Sequence, residues 1–576
     1  MKKINKIIDI IKENKWIHYL IIIVIGIILS IPISKIQIRE THDGTLHMLR
    51  MMGTTHSLNI GQIPPIISPY FCNGGGYAMN LFYNPLVTYI PLLIKIFTPS
   101  YAMALKIFAG LCIVLSGITM YQFVYSVTKK RTIALFSAII YLSAPYKLSD
   151  AYKRYAIGEF ASFIFMPILF KGLYNLFNQD GKKHYYIAIG AIGLMLTHTV
   201  TTFYMAIFSA IYVLFNIKKL KEKDIVKKII INVVFILLIS VFFLGPMLEA
   251  KITTDYAIFD SRIMCTNGKY VYENTMRIND FFVDNVGDTD ATVISIGIPI
   301  FVLMCLTVFT YKKVDKKYKD FFIISLFFSF ICLYMSSRYC PWFLFPDFFC
   351  KLQYPWRLIG FFDFFISFTA GVNVYILLKM LFNKDLTRTI IVTLLVILTI
   401  IYTMPILLQF ESKDNTIDER YEGIVLEKKY IHYFTINRDY LPTKAIVQQK
   451  KYLMDREFKK LVILEGEAKL LNEEYGDLHY YTEIEDYKEG TILEFPFFFY
   501  PGYTISLEEN GNITKLETME SPYGFVCTVI DKDIQNGKIV MEYKGTFVTN
   551  ASYVISFIGL IVFIVYIIRE EKYAKN

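Results

Sequence analysis

The sequence predicts a polytopic α-helical membrane protein with about twelve transmembrane helices and a β-rich domain outside the membrane near the C-terminus. Hydrophobic residues make up 54% of its 576 residues and charged residues only 19%, whereas soluble domains have about 45–50% apolar residues with glycine included and about 25% charged. Apolar runs near the length that crosses a bilayer recur along the chain, and lysines collect in the loops between them. These observations exclude the soluble, disordered, collagen-like and disulfide-scaffold classes.

The net charge of +10 is divided unevenly along the chain. Residues 409–548 carry 26 acidic and 17 basic side chains, a net charge of −9, so the rest has 24 acidic and 43 basic side chains, a net charge of +19. Because the basic residues of this remainder lie in short loops between apolar runs, they indicate membrane topology and give no reason to expect a nucleic-acid partner.

Twelve apolar runs are candidate membrane spans. They divide the chain into a transmembrane domain, 1–408, whose outer loop 36–101 carries interfacial helices, and a final helix with its tail, 549–576. In chain order the runs are 16–35, 102–126, 132–147, 157–177, 184–198, 199–217, 228–248, 292–311, 320–337, 358–381, 388–408 and 549–568.

One further apolar run, 84–98, decides the orientation of everything that follows it. It has 15 residues, two prolines and Lys95, and if it crossed the membrane the basic loop 129–131 would face outward. As a re-entrant or interfacial helix it leaves all lysine-rich loops on one side, as the excess of positive charge in cytoplasmic loops requires. The chain is therefore predicted to lie in the cell membrane with both termini cytoplasmic and 409–548 outside.

Residues 409–548 have the composition of a separate β domain. The segments 460–465 and 491–500 are rich in strand-forming residues, and 538–543 alternates apolar with polar residues. Asn510-Gly511 and Asn536-Gly537 are typical of hairpin turns. An antiparallel β-sandwich outside the membrane is the predicted architecture.

The first outer loop carries the strongest candidates for chemistry. If its start is helical, Asp43, His47 and Arg50 fall at i, i+4 and i+7 on one face, beside the membrane. A carboxylate, an imidazole and a guanidinium could together deprotonate a hydroxyl and hold a phosphate. The alternatives are a solvated helix face and, for Asp43, a helix N-cap.

Other outer segments supply candidate ligand-binding residues. Lys153 and Arg154 lie outside against the usual bias, so an anionic ligand or snorkelling to headgroups must favour them. Glu159 should face a cavity or a partner. His198, between two spans, is a further candidate, with structural hydrogen bonding as the alternative. Trp356 and Arg357 precede span 358–381, and for Trp356 the alternative is a place in the interfacial aromatic belt.

No metal site is evident from residue spacing. His42, His47, His56 and Cys72 match no standard zinc pattern, so the metal remains unknown. Asp363, inside its span, requires a cation that the sequence does not identify.

At these residues the chain resembles two named groups of bacterial membrane proteins: the 6-pyruvoyl-tetrahydropterin-synthase-related family and the YfhO-type proteins. The motifs that carry the resemblance are Asp43-x-x-x-His47-x-x-Arg50, Phe82-Tyr83-Asn84-Pro85-Leu86, Tyr152-x-Arg154, Glu159, His198, Tyr354-Pro355-Trp356-Arg357 and Tyr500-Pro501-Gly502-Tyr503.

The resemblance implies a GT-C glycosyltransferase fold. It implies a polyprenyl-phosphate sugar as the donor and a catalytic aspartate in the first outer loop, a place that Asp43 matches by position. It implies no certain cofactor, although a divalent metal is possible. The implied function is transfer of a sugar to a cell-envelope glycan or glycolipid acceptor, with membrane lipid as a further partner. A glycolipid transporter or flippase and a non-catalytic envelope scaffold are the competing hypotheses.

Overall fold

The computed structural model describes residues 14–282, 294–411, 416–427, 438–447 and 459–573, and it is mainly helical. Up to residue 215, the described part of the chain contains eleven α-helices: α1 Lys15–Ser30, α2 Gly44–Asn59, α3 Met79–Phe82, α4 Leu86–Lys95, α5 Tyr101–Thr128, α6 Arg131–Leu142, α7 Pro145–Ser149, α8 Ile157–Ser162, α9 Phe165–Asn178, α10 Tyr186–Thr197 and α11 Thr199–Phe215. From residue 223 onward, the described residues form ten more: α12 Lys223–Thr253, α13 Gly268–Glu273, α14 Ile298–Cys305, α15 Thr307–Thr310, α16 Lys316–Ser336, α17 Leu358–Leu381, α18 Asp385–Leu408, α19 Ile417–Glu427, α20 Thr443–Val447 and α21 Phe547–Tyr573.

The protein is a multi-pass membrane protein by the length and composition of these helices. Within the described residues, eight helices are long and apolar enough to cross a membrane, and α6 with the segment 145–154 makes a ninth that is bent by 49°. The span Pro355–Leu381 is central, since 89% of its apolar window is buried, against 22% for the last span, Phe547–Lys572.

The predicted number of twelve spans is not reproduced. The runs 184–198 and 199–217 form helices of 12 and 17 residues, separated at His198, whose ring accepts a hydrogen bond from the backbone N–H of Thr201 and so caps α11. The described part of 292–311 is broken into α14 and α15. Each of these helices is shorter than the roughly 20 residues that a straight span requires.

The first outer loop is largely helical, as the sequence indicates. The run 84–98 forms α4, a helix of only 10 residues with Pro91 inside it, which is too short to cross a bilayer. Its re-entrant or interfacial placement stays a prediction, as does the side of the membrane on which each loop lies.

The predicted β-rich region is present as two antiparallel sheets. The nine strands among its described residues are β1 Val462–Glu465, β2 Lys469–Gly476, β3 His479–Tyr487, β4 Ile492–Phe498, β5 Tyr503–Glu509, β6 Asn512–Leu516, β7 Met519–Glu520, β8 Phe525–Val529 and β9 Ile534–Tyr543. They pair in the orders β1-β4-β8-β7 and β2-β3-β9-β5-β6. Aromatic rings of the two sheets contact each other, with Tyr475 stacked on Phe497 at 5.3 Å between ring centroids, whereas a β-sandwich geometry stays a prediction.

The sheets contact the outer loops of the helical region directly. Tyr256 stacks on Tyr500 with ring centroids 5.6 Å apart, and the Phe498 N–H donates to the Gly75 carbonyl at 2.9 Å. Tyr500 is fully buried. The division at residue 409 is therefore crossed by buried contacts, and independent folding of 409–548 stays a prediction.

Candidate functional site

The two outer loops that the sequence singles out are joined through their backbones. The Asp43 N–H donates to the Arg154 carbonyl at 2.9 Å, and the His42 N–H donates to the Lys153 carbonyl at 3.2 Å. Lys153 and Arg154 belong to a five-residue π-helical turn, Asp150–Arg154, a conformation that is frequent at functional sites. Asp43 therefore lies beside the second outer loop, 111 positions further along the chain in the printed sequence.

Asp43 does not cap the helix that follows it. It occupies the N-cap position of α2, but its side chain makes no capping hydrogen bond, and Thr41 Oγ1 accepts the hydrogen bond from the Gly44 N–H at 3.1 Å. The carboxylate is half-buried. Of the roles that the sequence left open for Asp43, helix capping is not one that its side chain performs here.

The next turns of α2 bury His47 beside Tyr83. Its side chain is 2% exposed, its ring meets the Tyr83 ring edge-on with centroids 5.6 Å apart, and neither ring nitrogen has a hydrogen-bond partner among the described residues. Burial, followed by the charges of Arg50 and His198, lowers the pKa of His47 to about 3. The ring is therefore neutral at physiological pH.

Arg50 is buried in the same helix and fixes the loop that follows α3. Its Nη2 donates to the carbonyls of Tyr83 and Asn84, each at 2.9 Å, and its Nε donates to Asn80 Oδ1 at 3.3 Å. Its guanidinium lies 4.2 Å from the centre of the Tyr83 ring. Burial lowers the pKa of Arg50 to about 10, so it stays charged at neutral pH, and only Nη1 lacks a partner among the described residues.

Arg154 and Glu159 form the centre of a buried ion-pair network. Arg154 Nη1 contacts a Glu159 carboxylate oxygen at 3.0 Å and also pairs with Asp150. Glu159 accepts a hydrogen bond from the Tyr146 hydroxyl at 2.6 Å, and its Oε2 lies 3.5 Å from Arg357 Nε. Arg154 thus pairs with two carboxylates, and the Glu159 carboxylate lies close to two guanidinium groups.

This network gives Arg154 partners within the chain. The sequence left an anionic ligand or snorkelling to headgroups as reasons for a cation at this position, and the structure adds two carboxylates, those of Asp150 and Glu159. Binding of an anionic ligand by Arg154 stays a prediction. Glu159 has the partners that its position inside a span requires.

Aromatic rings cover the network on one side. Trp356 stacks on Tyr354 with ring centroids 5.0 Å apart and an interplanar angle of 21°. The Arg154 guanidinium lies 4.6 Å from the centre of the Trp356 ring. Trp356 therefore has a specific contact within the site in addition to its place near the membrane boundary.

A close approach of helices brings His198 to the same place. A Cβ added to Gly158 would lie 2.8 Å from the Thr197 carbonyl oxygen, 3.4 Å from the Tyr83 hydroxyl and 3.5 Å from His198 Cδ2. Only a residue without a side chain fits this approach. The His198 Nδ1 lies 2.7 Å from Thr201 Oγ1, which is the structural hydrogen bonding that the sequence offered as the alternative.

Tyr83 lies among all of these charges, although sequence reasoning did not select it as a site residue. Burial and then the Asp43 carboxylate raise its pKa, while Arg50, Arg357 and Arg154 act in the opposite direction. The only signal for Tyr83 was its place in the motif 82–86. Asp150 and Tyr146 were not selected as members of the network either, because no local pattern in the sequence indicates that they pair with Arg154 and Glu159.

The predicted site residues therefore converge on one place, but they differ in access. Asp43, Lys153, Trp356, Arg357 and His198 are half-buried, whereas His47, Arg50, Arg154 and Glu159 are buried. The half-buried residues can reach a ligand without a rearrangement, and the buried ones hold the surrounding elements together.

Asp363 has a cation near it, which the sequence did not identify. Both Asp363 and Lys147 are fully buried, and Lys147 Nζ also donates to Ser116 Oγ at 2.6 Å and to the Tyr141 carbonyl at 3.2 Å. The electrostatic interaction of Lys147 with Asp363 links α7 to α17 inside the helical region.

A resident metal is not supported by any set of ligands in the described ranges. No group of three or more histidine, cysteine, aspartate or glutamate side chains in them is arranged to hold a metal ion. No residue can therefore be named as a metal ligand.

Comparison with known proteins identifies a family and a similar curated protein. The model of the family described as bacterial membrane protein YfhO matches residues 74–426. A protein of Lactococcus lactis subsp. cremoris, described as uncharacterized, is 27% identical over 351 residues, which are 58% of this chain and 55% of that protein. The chain thus spans about half the length of this curated relative, and the pterin-synthase-related resemblance finds no support.

Among solved structures, the chain is similar to the crystal structure of the oligosaccharyltransferase of Archaeoglobus fulgidus in the apo form. The TM-score is 0.36 and the identity 12%, and the alignment covers 74% of this chain and 61% of that one. Neither fold nor function is inferred from a likeness at this level, and a GT-C arrangement of the helices stays a prediction.

Proposed function

Starting from a chain that belongs to the YfhO family of bacterial membrane proteins, we propose that the protein is a glycosyltransferase. It transfers a sugar from a polyprenyl-phosphate donor to a glycan or glycolipid acceptor of the cell envelope, on the outer face of the membrane. The observation that carries this proposal is the Asp43 carboxylate, which is half-buried, makes no capping hydrogen bond and lies among the cations of two joined outer loops.

Asp43 acts as the general base in this proposal. It accepts the proton of an acceptor hydroxyl while that oxygen bonds to the anomeric carbon of the sugar. The bond between the sugar and its phosphate breaks, and the polyprenyl phosphate leaves with the electron pair. A base must lie within hydrogen-bond reach of the hydroxyl it deprotonates, and a half-buried carboxylate at the edge of the site can meet an acceptor from the aqueous side.

Lys153 and Arg357 bind the donor phosphate in this proposal. Both are half-buried, and cations aimed at a leaving phosphate stabilise the charge that develops on it. Trp356 is half-buried and contacts the sugar in this proposal.

The buried residues position these groups. Arg50 holds the backbone of residues 83 and 84, and His47 packs against the Tyr83 ring. Glu159 contacts both Arg154 and Arg357, and His198 fixes the start of α11. Substitution of these residues should displace Tyr83 and Arg357 from their positions in the site, and should not remove a direct contact with the substrate.

The donor lipid predicts that the site lies at a membrane boundary. A polyprenyl chain requires hydrocarbon, whereas the acceptor hydroxyl arrives from water, so the reacting groups must meet where both are present. The β sheets contact the outer loops near residues 75 and 256, which places them where they can bind or present an acceptor.

The substitution Asp43→Asn tests the base directly. Purified protein in detergent is given a polyprenyl-phosphate sugar with an isotopic label and an envelope extract as the acceptor, and labelled product is measured. Because asparagine has nearly the same shape but cannot accept the proton, transfer should fall by about 10²–10⁴-fold. Asp533→Asn, a change at an exposed aspartate of the β region, is the matched control and should keep full activity.

The same preparation separates the competing hypotheses. A flippase would move a fluorescent glycolipid across the membrane of sealed vesicles without forming a labelled product, and a scaffold would do neither. Full transfer by Asp43→Asn would refute the role of Asp43, and the absence of transfer by the wild-type protein from every polyprenyl-phosphate sugar would refute the proposed reaction.

A further inference from the structure

A large apolar groove lies between the outer loop and the last span, away from the ion-pair network. It has a volume of about 980 Å³ and is lined by residues of α2, α4 and α21, among them Leu58, Leu92 and Val554. Sites for small organic ligands usually have volumes of about 300–1,000 Å³. The groove can therefore hold a molecule with a substantial apolar part.

The position of the groove indicates that it opens to lipid. Val554 lies on the last span, Phe547–Lys572, and is 59% exposed. Leu93 and Ile96, on the other wall, are 60% and 72% exposed. An exposed apolar patch of this kind on a helix that crosses the membrane faces hydrocarbon, so a lipid chain can enter from the side.

The groove continues into a small polar cavity. This second cavity has a volume of about 160 Å³ and shares Ile63, Pro64 and Asn550 with the groove. Gln62 also lines it, and both the oxygen and the nitrogen of its side-chain amide are shielded from solvent without a hydrogen-bond partner among the described residues. Buried amide groups without partners are rare and costly, so Gln62 offers a donor and an acceptor to a ligand.

The charges near the two cavities are already engaged. Lys544, at the polar cavity, pairs with Glu542 at 2.8 Å. Lys95, at the groove, donates to the Thr98 carbonyl at 3.2 Å, and its Nζ lies 5.1 Å from the centre of the Tyr101 ring. The polar end is therefore suited to hydroxyl groups, since the Gln62 amide has no partner among the described residues while Lys544 is paired with Glu542.

We propose that this combined site binds a membrane glycolipid with an uncharged sugar headgroup. The apolar chain lies in the groove between α4 and α21, and hydroxyls of the sugar bond to Gln62 and Asn550 in the polar cavity. The site differs from the one around Asp43, and its occupancy does not require the transfer reaction.

Photo-cross-linking of the full-length protein in nanodiscs tests this proposal. The probe is a monoglucosyl diacylglycerol with a photoreactive diazirine on one acyl chain, and the comparison probe is phosphatidylglycerol with the same chains. Peptides that contain residues 86–96 or 550–554 should carry the cross-link, and unlabelled glucolipid should compete for it. Equal labelling by the two probes in these peptides would overturn the choice of a sugar headgroup, and labelling elsewhere would overturn the site.

Two pairs of variants make the result specific. Val554→Trp fills the groove and should lower labelling about tenfold, whereas Val565→Trp, at a position of equal exposure on the same helix but outside the groove, should not. Gln62→Leu removes the free amide and should weaken glucolipid binding about tenfold, with no change for Gln535→Leu on an exposed face of β9. Unchanged binding by both Val554→Trp and Gln62→Leu would refute the proposal whatever the activity at Asp43.

Discussion

Replacement of Glu159 by glutamine tests whether the ion-pair network holds the site together. Glutamine keeps an acceptor for the Tyr146 hydroxyl but removes the charge that faces Arg154 at 3.0 Å and Arg357 at 3.5 Å. Breaking a buried ion pair costs about 3–5 kcal/mol, because a charge is left without compensation. Since Asp150 still pairs with Arg154, the expected loss of unfolding free energy is about 3 kcal/mol.

The cysteines of the chain provide the assay. All eight are free thiols, and a thiol-reactive dye reports their exposure as the protein unfolds on heating. The cysteines that are buried in the folded protein are Cys72, Cys112, Cys332, Cys340, Cys350 and Cys527. With an unfolding entropy of about 2.1 cal/mol/K per residue, a loss of this size should lower the midpoint of unfolding of the 576-residue chain by about 2–3 °C. The control is Glu485→Gln, which breaks the exposed pair with Lys469 and should cost about 1 kcal/mol or less.

A double-mutant cycle then assigns the effect to a contact. Arg357→Met alone and together with Glu159→Gln should give a coupling of about 0.5–3 kcal/mol, because the two residues are direct neighbours. If Glu159→Gln unfolds at the same temperature as the Glu485→Gln control, the network contributes no more than a surface ion pair, and the reasoning that places it at the centre of the site is refuted.

Three further predictions concern the packing, protonation and orientation of the protein. Gly158→Ala should lower the unfolding free energy by about 1–3 kcal/mol in a dye-monitored melt, because its Cβ would lie 2.8 Å from the Thr197 carbonyl oxygen. The control Gly423→Ala, in a helix with open space around it, should be neutral or stabilising. Equal effects of the two substitutions would contradict the close approach. The pKa of His47 is lowered to about 3, so its contribution to stability is present above about pH 6.5 and is lost as the pH falls. Between pH 7.5 and 5 the unfolding free energy of the wild type should therefore fall by about 2 kcal/mol more than that of His47→Phe. Parallel losses would show that His47 is not buried in its neutral form. Lys313→Cys in a cysteine-free background should react with an impermeant maleimide only from the cytoplasmic side, and labelling from outside would reverse the predicted topology.

The sequence alone determined the class of the protein and the position of its main segments. Membrane insertion depends on the summed transfer free energy of contiguous residues, so the apolar runs could be identified without any knowledge of their packing. The β region was equally accessible, because alternation and Asn-Gly pairs are local signals. Asn510-Gly511 does lie between β5 and β6, but the turn predicted at Asn536-Gly537 is wrong, since both residues lie inside β9 and pair with β3. The sequence considered a helix over 43–50 only as a possibility, and the structure has one: His47 and Arg50 lie on α2, and Asp43 is its N-cap residue.

Only the tertiary structure decided how these residues are used. The contact between Glu159 and Arg357 joins positions almost two hundred residues apart, and no local pattern in the sequence indicates it. The same holds for Tyr83, which lies among charged residues from three segments, and for the cavity beside Gln62. Pairing of buried charges and the shape of cavities depend on which helices pack together, and that packing is set by side-chain complementarity over the whole chain and not by the composition of any one segment.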